Sequence, residues 1–180
     1  MKGEFFIIGA LLICSLLFFG MGPGTRITET TTADMDRFGE NLAKELPHAL
    51  NIGVNASDPA GTVQNFTEFS RDALEKHGID LKCYWLVFMP DGGNVNVSVG
   101  NFMGSGKTFG INVSGNFKYV YAADGTVNSS LFSVSGYKFD VTIGVDDWLT
   151  EKRMLTNKTG IYSLISLERG DGVVRKEILA

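Results

Sequence analysis

Histidine and cysteine are scarce in this chain of 180 residues, with two of each. His48 and His77 each fall at the end of an expected helix and lack a nearby Cys or His cluster, so a zinc site is not expected. A Ser-His-Asp hydrolase would have to use one of these two, and no Gly-x-Ser-x-Gly elbow exists. Cys14 lies in an apolar run and Cys83 in an apolar strand pattern, so the two cannot pair within one chain, and Cys83 reads as a small buried hydrophobe. Basic residues are also few: 16 Lys and Arg against 20 Asp and Glu give a net charge of −4. They are scattered, which argues against nucleic acid as a partner.

What is present begins with a long apolar run. Phe5 to Phe19 is almost unbroken, preceded only by Met1, Lys2, Gly3 and Glu4. Extended to Met21 it makes a helix roughly 25 Å long, at the short end for spanning a bilayer. Gly20, Gly22, Pro23 and Gly24 then break it. Lys2 and the free amino terminus favour the cytoplasmic side. The expectation is a single-pass membrane anchor over residues 1–24, with the remainder extracytoplasmic. A cleaved secretory signal fits less well, because Pro23 follows Gly22 and Phe18 precedes the Gly20 region. A lipoprotein signal would need a small residue where Ile13 precedes Cys14.

The start Lys2-Gly3-Glu4-Phe5-Phe6-Ile7-Ile8 resembles the class III, prepilin-like signals of archaeal surface proteins. The resemblance covers about ten residues. It implies a prepilin-type peptidase as partner, processing after Gly3, a mature chain beginning at Glu4, and a retained helix that can pack in a filament core. Typical pilins carry their acidic residue at the fifth mature position, whereas Glu4 would be the first.

Six of the eleven Asn residues start an Asn-x-Ser/Thr triplet: Asn55, Asn65, Asn96, Asn112, Asn128 and Asn157. The Ser and Thr content predicts about 1.5 such triplets by chance, so the excess points to N-glycosylation on an exported surface. Val95, Val97 and Val99 alternate with Asn94, Asn96 and Ser98, and Phe109, Ile111 and Val113 with Gly110, Asn112 and Ser114. A buried apolar face would turn Asn96 and Asn112 to water.

Residues 25–80 read as a helical segment and 81–180 as an antiparallel β domain, together one compact unit. Thr25 to Thr32 reads as a short stalk. A helix is expected over Ala33–Leu46, with the stripe Met35, Phe38, Leu42, Leu46 and a stop at Pro47. A second is expected over Thr62–His77, ended by Gly78. Leu81 to Met89 is apolar at every position but Lys82 and predicts a central strand buried on both faces. Further strands are expected at Val95–Phe102, Lys107–Ser114, Phe117–Ala122, Leu131–Ser135, Tyr137–Val145, Ile161–Leu167 and Val173–Ile178. Asp124-Gly125 and Arg169-Gly170-Asp171-Gly172 read as hairpin turns. The fold class expected is α+β: an N-terminal transmembrane helix, two amphipathic helices, then a sandwich-like antiparallel sheet.

Several motifs have simpler readings. Gly104-Ser105-Gly106-Lys107-Thr108 lacks the first Gly of a phosphate loop and precedes a strand, so it reads as a hairpin turn. Arg169-Gly170-Asp171 is explained by its turn. Asp91, Asn94 and Asn96 miss the calcium-loop spacing, and Asp146-Asp147 reads as a solvated turn. Asp140 and Asp146 are the pair an extracytoplasmic glycoside hydrolase would need. No catalytic site, metal or cofactor is expected. The function expected is structural or adhesive: a pilin-like subunit that self-assembles in the membrane, or a permanently anchored module that binds carbohydrate or protein. An echo, Val-Ser-Val-Gly-Asn-Phe ending at Phe102 and Val-Ser-Gly-Asn-Phe ending at Phe117, suggests successive antiparallel strands.

Overall fold

A computed structural model describes residues 32–135, 138–145, 148–149, 153–156 and 158–180. The expected anchor, with Gly3, Glu4 and Cys14, lies outside the described residues, as do most of the Thr-rich stalk, Tyr137, Asp146, Asp147 and Asn157. Among the described residues, no helix is long and apolar enough to cross a membrane.

The described chain is α+β in three layers. Helices α1 (Thr32–Asn55) and α2 (Pro59–Glu75) come first. Ten strands follow: β1 (Asp80–Asp91), β2 (Asn94–Phe102), β3 (Lys107–Val113), β4 (Asn116–Ala122), β5 (Thr126–Ser133), β6 (Lys138–Val145), β7 (Trp148–Leu149), β8 (Arg153–Thr156), β9 (Gly160–Arg169) and β10 (Gly172–Leu179). One sheet, here sheet A, has the order β10-β9-β1-β2-β5, and sheet B has the order β4-β3-β6-β7, with β8 also paired to β6. Every pairing is antiparallel. Both helices pack on sheet A, and sheet B covers its other face.

β1 explains the layering. Its alternate side chains serve two cores. Tyr84, Leu86 and Phe88 face sheet B, where they meet Phe109, Ile111 and Phe139. Cys83, Trp85 and Val87 face the helices, where they meet Met35, Leu46 and Val63. Burying a Val, Leu or Phe side chain contributes about 1.5–3 kcal/mol, so a strand apolar on both faces settles between two layers.

The first helix corrects an expectation, because α1 runs through Pro47 to Asn55. Proline inside a helix costs about 3 kcal/mol or more. Here the apolar stripe continues past it through Ala49 and Leu50, both buried, and their packing offsets that cost. The helix ends where Ser57 takes a left-handed φ of 59° and Asp58 N–H donates to Gly53 O at 2.9 Å. Asp58 then caps α2 through Gly61 N–H at 3.0 Å, with Pro59 in the first turn, so α2 starts before the expected Thr62. Gly78 ends α2 with φ 69°, as its sequence position predicts.

Two expected hairpins are sheet switches. The Gly104-Ser105-Gly106 loop joins β2 of sheet A to β3 of sheet B, and Asp124-Gly125 joins β4 of sheet B to β5 of sheet A. The turns at Gly92-Gly93 and Arg169-Gly172 do close hairpins. The echoed Asn-Phe pairs are not equivalent either. Asn101 and Phe102 are buried at the end of β2, whereas Asn116 and Phe117 are exposed at the start of β4.

Candidate functional site

β4 is an edge strand with two unlike faces. Val120 and Ala122 point into the sandwich and are buried. Phe117, Tyr119 and Tyr121 point the other way, onto the outer face of sheet B, and are 53%, 74% and 58% exposed. Three successive aromatic rings this open on one strand form an apolar strip with polar tips.

Glycines on the neighbouring strands make room for it. Gly110 on β3 lies opposite Tyr119 and also pairs with Gly144 on β6. A Cβ at Gly110 would come within 3.1 Å of the Phe117 ring and 3.6 Å of the Tyr119 ring. The Phe117 and Tyr119 rings meet edge to face, 4.8 Å between centroids and 89° between planes. Tyr121 extends over Gly106, where any side chain would collide with its hydroxyl. Aromatic cover over a strand glycine is partly structural. A ring three-quarters exposed, as Tyr119 is, has most of its surface left for a partner.

The polar border comes from β3 and β6. Asn112 lies between Phe117 and Thr142 in register, with Thr108 opposite Tyr121. The Asn112 carbonyl oxygen accepts from Gly115 N–H at 2.9 Å.

One buried side chain holds the upper end of the strip. Asn101 is fully buried and donates from Nδ2 to Ser105 O and to Ala122 O, both at 2.8 Å. Its Oδ1 accepts from Met103 N–H at 3.2 Å. This fixes both sheet switches, and with them Gly106 and Tyr121.

The seam beside the strip is closed by side chains. Asn116 Nδ2 donates to Ser133 O at 2.7 Å, Lys118 Nζ to Leu131 O at 2.6 Å and Asn128 Nδ2 to Tyr121 O at 2.8 Å. Each pair is symmetric about the Asp124-Gly125 turn, so β4 and β5 keep a hairpin register without a backbone ladder. The Lys118 ammonium also lies over the Phe132 ring, 5.3 Å from its centroid.

The other sequence candidates are dispersed. Asn55 and Asn65 are exposed on the helices, and Asn128 is exposed on β5. Asn112 is half-buried on the outer face of sheet B, as its phase predicts. Asn96 departs from that argument. Its valine neighbours do face the sandwich core, but the opposite face of β2 is the one the helices cover. Asn96 is therefore half-buried, and Ser98 is buried against Ser129 at 2.8 Å.

The Gly-Ser-Gly loop offers no cradle for phosphate, because the Gly104 amide already donates to Asp124 Oδ1 at 2.8 Å. Arg169 lies against Gly78 with its Nη1 buried, so its guanidinium is not displayed for capture. Asp91, Asn94 and Asn96 share the β1–β2 hairpin, where the Asn94 side-chain oxygen accepts from Ser133 Oγ at 3.1 Å. His48 and His77 lie on the helical side of the fold, away from Asp140 on β6. Among the described residues, no three His, Cys, Asp or Glu side chains gather as a metal site. A small apolar cavity between the helices and sheet A, lined by Leu42, Phe66, Thr67 and Cys83 among others, has room for little more than a water. Thr67 and Ser70 there donate to carbonyls of their own helix.

No family model matches the chain, and no curated protein matches it. Sequence reasoning placed β4 but did not single out its aromatics. The available signal was the triplet Phe117, Tyr119, Tyr121 alternating with Val120 and Ala122, which makes both faces of the strand apolar.

Proposed function

We propose that this protein is a membrane-anchored extracytoplasmic surface protein with an adhesive role, and that its folded domain meets saccharide through the aromatic strip of β4. The observation that carries this reading is the outward display of Phe117, Tyr119 and Tyr121 on one edge strand. The C–H faces of a sugar ring stack on such rings. Its hydroxyls find polar partners at Thr108, Asn112 and Thr142 along the border. Covering one ring of this size contributes roughly 1.5–3 kcal/mol, which suits weak, repeated contacts of the adhesive kind. The anchor over Phe5–Phe19, with the N-terminus cytoplasmic, and glycans on the sequon Asn residues belong to the same reading. It is supported by the excess of sequons, and by the fact that none of the five described sequon Asn residues is fully buried.

The test is binding of the full chain in detergent to insoluble polysaccharides and immobilised oligosaccharides. Tyr119→Ala combined with Tyr121→Ala should abolish retention while lowering the thermal midpoint only modestly, since both rings are largely exposed although they cover Gly106 and Gly110. Retention equal to wild type would remove the strip as the contact.

The start Lys2 to Ile8 favours a second reading, a pilin-like subunit whose apolar helix carries assembly after cleavage at Gly3. The N-terminal peptide mass of the native protein separates the two. A chain starting at Glu4 supports prepilin-type processing, one starting at Met1 a fixed anchor, and one starting beyond Gly20 a discarded export signal.

A further inference from the structure

Asn112 is the one described sequon residue seated within the aromatic strip. It lies directly across from Phe117, in a strand pair where facing side chains on one surface are neighbours. Its triplet is completed by Ser114 in the β3–β4 turn. The hydrogen bond from Gly115 N–H engages its carbonyl oxygen, not the nitrogen to which a glycan is joined. The floor next to it is glycine, since Gly110 precedes it by one position on the same face of β3 and pairs with Gly144.

We infer that the resident occupant of the strip is the chain's own N-glycan at Asn112, its first sugars lying across Phe117 and Tyr119, so that glycosylation sets how much of the strip is open to an outside saccharide. This rests on the reading of the strip as a saccharide-stacking surface. In the modification, an oligosaccharide activated on a lipid phosphate is the donor. The bond from Asn112 Nδ2 to sugar C1 forms, the C1–O bond to phosphate breaks, and the amide proton is lost to base. A tethered sugar needs no second encounter, so a weak stacking contact is occupied far more often than by the same sugar free in dilute solution. Asn65 has a single partly exposed ring, Phe69, one turn farther along α2 in place of a strip of three, and the Asn128 nitrogen is directed to Tyr121 O at the seam.

The experiment compares the native-host glycoprotein with a Ser114→Gly variant made in the same host. That variant removes the triplet and keeps Asn112, and glycine suits the left-handed φ of 49° at this position. Peptide mass first reports whether Asn112 is modified. Nitration by tetranitromethane, read peptide by peptide, then reports ring access, with Tyr121 as reference because it lies one position farther from Asn112 on that face. A modified Asn112, with Tyr119 nitrated severalfold faster relative to Tyr121 in the variant, is the expected result. An unmodified Asn112, or equal nitration in the two proteins, overturns the inference. Free oligosaccharide released from the native protein is finally offered to the variant. Failure to bind removes the adhesive reading while leaving the nitration result to decide the tethered one.

Discussion

Replacing Asn101 with alanine should cost this small domain a large share of its stability, and the figure can be built bond by bond. The side chain is fully buried and makes three hydrogen bonds. The bond to Ala122 O is in the interior, and leaving such an acceptor unpaired costs about 1–3 kcal/mol. The bonds to Ser105 O and from Met103 N–H lie nearer solvent, so water recovers part of each, leaving about 0.5 kcal/mol apiece. With the void left by the amide, the total is about 3 kcal/mol. At about 2–4 °C per kcal/mol for a domain of this size, the midpoint should fall by roughly 6–12 °C. Asn101→Asp provides a matched control of equal volume. It turns an oxygen toward two carbonyl oxygens and should be at least as damaging. Thermal unfolding of the full chain in detergent, followed by circular dichroism, gives the numbers. A drop below about 2 °C for the alanine variant would refute the claim that this one amide holds both sheet switches.

Two other outcomes follow from the core. Gly100→Ala places a methyl group inside the Trp85 indole, which is fully buried against it, so the loss should exceed the usual 1–3 kcal/mol of overpacking. Urea midpoints should show Trp85→Leu restoring part of that loss, and additive effects of the two changes would argue against direct contact. Burial pushes the Cys83 thiol up to about 12, so the neutral form is kept throughout the ordinary pH range and thiolate appears only above it. In a Cys14→Ser background, iodoacetamide at pH 8 should label Cys83 in urea but not in the native protein. Native labelling at the rate of a free thiol would show that the helical layer opens readily.

The parts legible in the sequence were those fixed by local chemistry. The two-faced pattern of Leu81 to Met89 could only suit a strand between two layers, and Gly78 marked its helix end correctly. Pro47 misled, because the penalty for an internal proline is local while the packing of Ala49 and Leu50 that outweighs it is tertiary. The start of β5 was missed because Thr126 to Ser130 is mostly polar and lacks alternation, its pairing supplied by β2. Whether a turn closes a hairpin or switches sheets depends on partners distant in sequence, so Asp124-Gly125 reads locally as a hairpin. β7 and β8 are too short to leave a pattern. The strip itself was hidden for a related reason: the period shows that Phe117, Tyr119 and Tyr121 share a face, but only the third dimension shows that both described helices pack on the other sheet.

The seam between β4 and β5 has a consequence for descent as well as for shape. A backbone ladder is nearly indifferent to sequence, so strands joined by one stay joined through most substitutions. Strands laced by Asn116, Lys118 and Asn128 keep the hydrogen bonds across their seam only while those three positions keep their donors. Two unpaired strand edges lie beneath the lacing, and an unpaired edge is a template for another chain. At this seam, what separates a covered edge from an open one is therefore three surface side chains rather than the backbone itself.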